Sequence, residues 1–470
     1  MNKIIPFMLL FFFISGTFAT AAISVSASEL IEDTWNTINA MNQPRINFEA
    51  VTVDDKIYAI GGSAYSEYLS TNERYDPKTD RWITLASMPT PRENFIIVAC
   101  QGKIYCMGGT AANDGTINDS DPILMPEPPK GTTDSPNGGA VYVPHPLPFR
   151  QVDVVEVYDP ATNKWASKAH LSINVEGMHT QVVNGQIFII TPLGELYTYD
   201  PVTDKWSNKT PLSVKEEPLQ THAVNEQLFI ITQSALCVYD PAKDTWTNKP
   251  NMPALMTYAF SVVVDNKLIV CDLSNISEII FSNMYRAQLR INIYDPISDV
   301  WQTGKTTAEH IFVLGFTLGV TSGVYAPEHV YVLGREASKD DVFNVKPFTL
   351  VYNPVADVWS TAKVAETAPY SRGCKMVVVD DVFYIIGGVF NVKYVPVGYN
   401  SQGYPDTQPS ATAPSASDVT SPDHPESEHT WSFLTRSVVI VTVLTISGVT
   451  ALFFYLRARK RPKVLNQVLT

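Results

Sequence analysis

The tryptophans of this chain fall in a series, and the series dictates a repeat. Seven of the eight, Trp35, Trp82, Trp165, Trp206, Trp246, Trp301 and Trp359, stand two residues after an Asp or Asn. From Trp82 onward the pair follows Tyr-Asp-Pro or Tyr-Asn-Pro: YDPKTDRW, YDPATNKW, YDPVTDKW, YDPAKDTW, YDPISDVW and YNPVADVW. The spacings, 47, 83, 41, 40, 55 and 58 residues, are those of an array with insertions of variable length. Proline sets φ for the first corner of a turn, and the Asp or Asn before it bonds forward to the backbone. The motif therefore reads as a strand ending in Tyr, a tight turn, and a strand returning through Trp.

Upstream of each Tyr lies a short apolar run: KIYAIGG, KIYCMGG, QIFIITP, QLFIITQ, KLIVCDL, HVYVLGR and VFYIIGG. These runs are apolar on both faces, as strands sandwiched between neighbouring sheets are. The glycine pairs Gly61-Gly62, Gly108-Gly109 and Gly387-Gly388 permit the close approach of another backbone. A further apolar strand precedes each run, for example AVTVDD, IIVACQGK and MVVVDD. Each repeat is thus expected to be a four-stranded antiparallel sheet.

This order of diglycine, Tyr and Trp resembles the Kelch family of β-propellers, over roughly Asp33 to Val397. The resemblance implies an all-β fold of seven four-stranded blades, with six as the alternative. Blades three to six depart from the pattern, reading Thr191-Pro192, Thr232-Gln233, Cys271-Asp272 and Gly334-Arg335 near the diglycine position. The seventh repeat supplies strands around Met376–Val379, Val382–Gly388 and Val389–Val397, then ends without a Trp. The missing strand is available at the start, where Asp33 and Trp35 lack an upstream partner. Kelch-like propellers close by sharing one blade between the two chain ends.

The ends of the chain read differently from the repeats. Residues 1–27 have the layout of a secretory signal: Lys3, an apolar run from Ile4 to Phe18, then small residues at Ala19 to Ala22. The propeller is assigned to 28–397. Residues 398–430 are rich in Ser, Thr and Pro and too poor in aliphatics to fold, so they read as a disordered stalk. Twenty uncharged residues, 437–456, then form a candidate transmembrane helix. The tail 457–470 carries Arg457, Arg459, Lys460, Arg461 and Lys463, which the positive-inside rule leaves in the cytoplasm. The expectation is a type I single-pass protein of the cell membrane, with the propeller outside the cytoplasm.

Charge and composition remove several classes. With 34 basic and 47 acidic side chains, the net charge of -13 speaks against a nucleic-acid partner. Five widely spaced cysteines make no disulfide framework. Pairing Cys100 with Lys103 across a hairpin sets Cys106 opposite Ile97, so the two sulfurs point to opposite faces. Eight histidines show no HxH or HExxH spacing, and no metal or cofactor is assigned. His179 and His222 fall in adjacent blades near inner strands and are read as offset by one register position, on opposite faces.

In this architecture the connections from strand two to three, and from strand four to the next blade, open on one face. Three insertions belong there: Thr110 to Arg150 with eight prolines, Ser274 to Arg290, and Glu336 to Pro347. Loops on a rigid scaffold carry function, so this face is the expected binding surface. Arg45 and Arg92 each lie eleven residues before the lysine of a KIY segment, and Arg372 is one position out of that register. In the Kelch family, arginines near here often contact acidic ligands, which makes all three candidate ligand contacts. The competing role is a structural arginine that bonds loop carbonyls. Sequons at Asn118, Asn208 and Asn275 are candidate glycosylation sites on an exported chain.

The expected function is non-catalytic recognition of an extracellular protein or glycan, as in adhesion or reception. The alternatives are a Kelch-like enzyme acting on sugars, such as an oxidase or a sialic-acid-modifying enzyme, and a structural envelope component. Catalysis finds little support in the residues.

Overall fold

The computed structural model describes residues 33–403 except 65–66, 113–148, 172, 174–176, 250–251, 254–255, 257–259, 282–283, 309–310, 338–344, 366–373, 388–390 and 402. The signal segment 1–27, the stalk beyond residue 403, the span 437–456 and the tail 457–470 lie outside the described residues. Among those described, no helix is long and apolar enough to cross a membrane.

The strands assemble into seven four-stranded antiparallel blades. Blade 1 comprises Glu49–Val53, Lys56–Ile60, Asn72–Asp76 and Arg81–Thr84. Blade 2 comprises Ile96–Cys100, Lys103–Met107, Val155–Asp159 and Lys164–Lys168. Blades 3 and 4 repeat the plan without insertion, from His179–Val183 to Lys205–Lys209 and from Gln220–Val224 to Thr245–Lys249. Blade 5 holds Phe260–Val264, Lys267–Phe281, Met284–Asp295 and Val300–Thr306. Blade 6 holds Ile311–Val320, Val330–Ala337, Val345–Asn353 and Val358–Thr361. Blade 7 takes Lys375–Val379, Val382–Ile386 and Val392–Val395 from the end of the chain and Thr34–Thr37 from its start. Trp35 sits opposite Tyr394 in that closing pair.

The Tyr-Asp-Pro motif works as its chemistry requires. The motif Asp or Asn accepts the amide two residues on, at 2.9 Å in blade 1 and 2.8 Å in blade 3. The Asp or Asn two before Trp adopts the left-handed region, with φ from 51° at Asp80 to 57° at Asp299, which these residues tolerate best after glycine. Its carboxylate or amide oxygen then accepts the motif Tyr hydroxyl, as at Asp80, Asn163 and Asp204. Each motif Tyr is buried, at 0–1% exposure from Tyr75 to Tyr394, and packs on its Trp with ring centroids 5.0–5.2 Å apart.

The apolar core is segmented between blades rather than central. One cluster joins Val224, Phe229 and Val238 of blade 4 to Leu268, Val270 and Tyr294 of blade 5, and every other neighbouring pair has its own. Each blade buries both faces, which explains why the second strands read as unbroken apolar runs.

Candidate functional site

The two faces of the ring differ. The connections between strands one and two, and three and four, are tight turns on what we term the turn face, apart from the longer Thr321–His329 connection of blade 6. The opposite, insertion face carries the second-to-third connections. In blades 5 and 6 these insertions are strands rather than the loops expected from the sequence. Cys271 and Leu333 would be followed by glycine pairs in blades 1 and 2, where Gly61 and Gly62 turn the chain at φ 62° and 96°. Asp272-Leu273 and Gly334-Arg335 stand there instead, and the strands run on.

Above the ring the prolonged strands join. Tyr285, Arg286 and Ala287 of blade 5 pair with Val313, Phe312 and Ile311 of blade 6, fusing both blades into one eight-stranded sheet. The protruding part has five strands in the order 274–281, 284–288, 311–316, 333–337 and 345–349. Its edges are unsuited to further pairing: Asn275–Ser277 is bulged out of the ladder, and Pro347 lacks an N–H. At its base Leu273, Ala287, Leu289 and Phe348 are buried together, so the sheet stands on its own apolar footing. Blade 2 adds a hairpin stem, Thr110–Ala112 with Phe149–Gln151, leading to residues 113–148.

The arginines at the entrance of blades 1 and 2 are buried in ion pairs. Arg45 is 3% exposed; it pairs with Glu73 and donates to the carbonyls of Gln43 and Ala59 at 2.9 Å each. Arg92 is fully buried; it pairs with Glu156 and donates to Thr90 O at 3.1 Å and Cys106 O at 3.0 Å. Both guanidinium groups thus hold an entering loop to the third strand of the same blade, the structural role, and neither faces solvent. Burial lowers the Arg45 pKa, against the opposing pull of Glu73. The glutamates were legible but unread: ERYDP and EVYDP carry Glu two before Tyr in the two blades that own such an arginine. Arg372 lies outside the described residues.

The diglycines serve the same loops. A Cβ on Gly61 would lie 2.7 Å from the Arg92 carbonyl oxygen, and one on Gly62 would lie 2.5 Å from that of Ile46.

The channel wall turns polar in blades 3 to 5. His179 and His222 occupy the first and third positions of their inner strands, so they share a face; the one-position offset read from the sequence is corrected to two. His179 Nε2 lies 3.0 Å from Pro218 O, and His222 Nε2 lies 2.6 Å from Ser261 Oγ. Gln181 donates to Thr221 O at 2.8 Å. Burial pushes both imidazoles down to about 4, and at His222 the neighbouring His179 adds to the effect, so both are neutral near pH 7. A cavity of about 10 Å³ lies beside His179, lined also by Gln181, Thr221 and apolar neighbours, roughly the space of one water. Between blades 7 and 1, Lys375 Nζ pairs with Glu49 Oε1 at 2.9 Å, and burial raises the Glu49 pKa against that attraction. Among the described residues no group of three or more His, Cys, Asp or Glu is arranged to hold a metal ion.

The remaining candidates fall as follows. Asn208 is exposed on the outer strand Lys205–Lys209, Asn275 lies in the strand Lys267–Phe281, and Asn118 is outside the described residues. Cys106 sits opposite Ile97, and all five cysteines are buried and outside any disulfide.

The Kelch motif matches residues 44–89, which is blade 1 with its entering loop. A search of the curated proteins finds no match to the chain. Among solved structures the chain is similar to one titled "Structure of YjhT", at 13% identity and a TM-score of 0.43, covering 70% of this chain and 100% of that one. A Kelch motif set in a ring of seven four-stranded blades supports a Kelch-repeat β-propeller.

Proposed function

We propose that the chain is a membrane-anchored recognition module, exported from the cytoplasm, that binds a protein or glycan on its insertion face without catalysing a reaction. One relationship supports this most. The chain enters blade 7 at Asp33 and leaves it after Val395, both on the turn face, opposite the protruding sheet. Beyond Val395 the chain crosses to the Ser322–Glu328 connection, with Asn400 N donating to Tyr325 O at 2.7 Å. A stalk leaving from there toward a membrane span at 437–456 would present the protruding sheet away from the bilayer. With Asn400 held there, the rest of the stalk, 401–430, would supply about 30 Å of reach.

The test is binding by purified residues 28–430 to glycan arrays and to cell-surface proteins, with metal analysis alongside. Saturable binding that disappears when 113–148 are replaced by a short linker is the expected result. Stoichiometric copper or iron with turnover of a sugar, and no captured ligand, would overturn the reading in favour of an enzyme. Protease protection of the tail 457–470 in sealed vesicles checks the topology separately.

A further inference from the structure

The junctions between blades share a latch. The Trp side chain donates Nε1–H to a carbonyl of the preceding blade's exit, and the same residue's amide donates to the Asp or Asn two before that Trp. Trp165 and Asn163 hold Ala86 in this way, Trp206 and Asp204 hold Ala169, and Trp246 and Asp244 hold Thr210. Trp359 with Asp357 holds Lys305, Trp35 with Asp33 holds Lys363, and Trp82 with Asp80 holds Asn39.

The junction between blades 4 and 5 breaks the pattern. Trp301 Nε1 is buried with no hydrogen-bond partner among the described residues. Asp299 receives the Lys249 ammonium at 3.3 Å where its counterparts receive a backbone amide. The latched residue stands four after the preceding Trp, as Thr210 follows Trp206, and the corresponding position after Trp246 is Pro250, which has no N–H. Asn292 adds a second deficit: it is 0% exposed, and neither its amide nitrogen nor its oxygen is bonded. It occupies the place two before Tyr where Glu73 and Glu156 hold arginines. The next junction is instead reinforced, because blades 5 and 6 are one continuous sheet.

We propose that the ring opens first between blades 4 and 5, and that the fused blades 5 and 6 move about this junction as one body. The protruding sheet belongs to that body, so the motion would reposition it; this consequence rests on the recognition reading, whereas the hinge does not. Each missing hydrogen bond shifts an opening equilibrium by up to roughly tenfold.

The cysteines provide the test. Cys106, Cys100, Cys237, Cys271 and Cys374 each sit in the core of a different junction, and none sits between blades 4 and 5. Val270 belongs to that fifth core and is the fourth residue of its strand, as Cys106 is in blade 2. In the full-length chain carrying Val270→Cys, thiol labelling resolved by peptide mass should modify position 270 at least tenfold faster than Cys106. Adding Pro250→Thr, which restores an N–H, should slow that labelling toward the Cys106 rate. Labelling of position 270 no faster than Cys106 overturns the proposal. If all six thiols react together because the variant unfolds, a second pair of variants decides: Trp246→Phe should lower the unfolding midpoint and Trp301→Phe should not. Equal losses from the two overturn the hinge, and ligand binding enters neither measurement.

Discussion

The Tyr394 hydroxyl donates to Asp33 Oδ1 at 2.7 Å, across 361 positions of sequence. The other oxygen of that carboxylate accepts the Lys363 amide at 3.1 Å, so a single side chain ties the first strand both to its own blade and to blade 6. Asp33 does at the closure what Asp80 or Asp204 does within the chain. Asp33→Ala strands the part-buried Tyr394 hydroxyl and is expected to cost about 1–3 kcal/mol. Tyr394→Phe should cost about 1 kcal/mol, and denaturant unfolding monitored at the tryptophans reads both.

Arg92 makes a second prediction, aimed at whether it serves the fold. Removing one partner of a buried ion pair leaves an uncompensated charge, so Arg92→Ala should destabilise by about 3–5 kcal/mol. The double change Arg92→Met with Glu156→Leu should cost less than the single one. Equal costs would show that the carboxylate is not stranded by losing its arginine.

Two glycines separate conformational strain from collision. Gly62 has φ of 96° and a would-be Cβ 2.5 Å from Ile46 O and 2.8 Å from Phe48 Cβ. Gly102 has φ of 71° and nothing within 4 Å of its would-be Cβ. Gly102→Ala should therefore cost about 1 kcal/mol from the backbone alone. Gly62→Ala should cost several times as much, because the entering loop must move. Urea midpoints of the two variants test the order.

The neutral histidines predict a window of acid sensitivity. His179 and His222 titrate near 4 in the fold, against 6.5 for an ordinary imidazole. The unfolded chain takes up protons first, so stability is full above pH 6.5 and is lost as pH falls from there toward 4. Each group contributes a slope of at most about 1.4 kcal/mol per pH unit within the window. Replacing both by Gln should flatten the stability profile between pH 6.5 and 4, and an unchanged slope would contradict the assignment.

The repeat was legible because its signals are local. A turn needs proline and Asp within three residues, and Tyr, Asp and Trp recur at fixed offsets because each contacts its own turn. Even the closure could be read, since Asp33 and Trp35 formed half of a motif. The insertions of blades 5 and 6 were legible as positions and not as strands. Their pairing joins Tyr285 to Val313, partners set by the geometry of two blades rather than by any local pattern. Position in the sequence put Arg45 and Arg92 near the channel mouth, while the carboxylates they pair with stand 28 and 64 residues away. The amide that Asp299 lacks was written in Pro250, but it acquires meaning only beside six intact counterparts.

The shared blade also sets an order of events during synthesis. Thr34–Thr37 is made before every other strand of the ring, yet its partner strand, Val392–Val395, is among the last parts of the ring to be made. At about 5–20 residues per second, tens of seconds separate the two. Throughout that interval the nascent chain carries an unpaired first strand and an arc of finished blades that cannot become a circle.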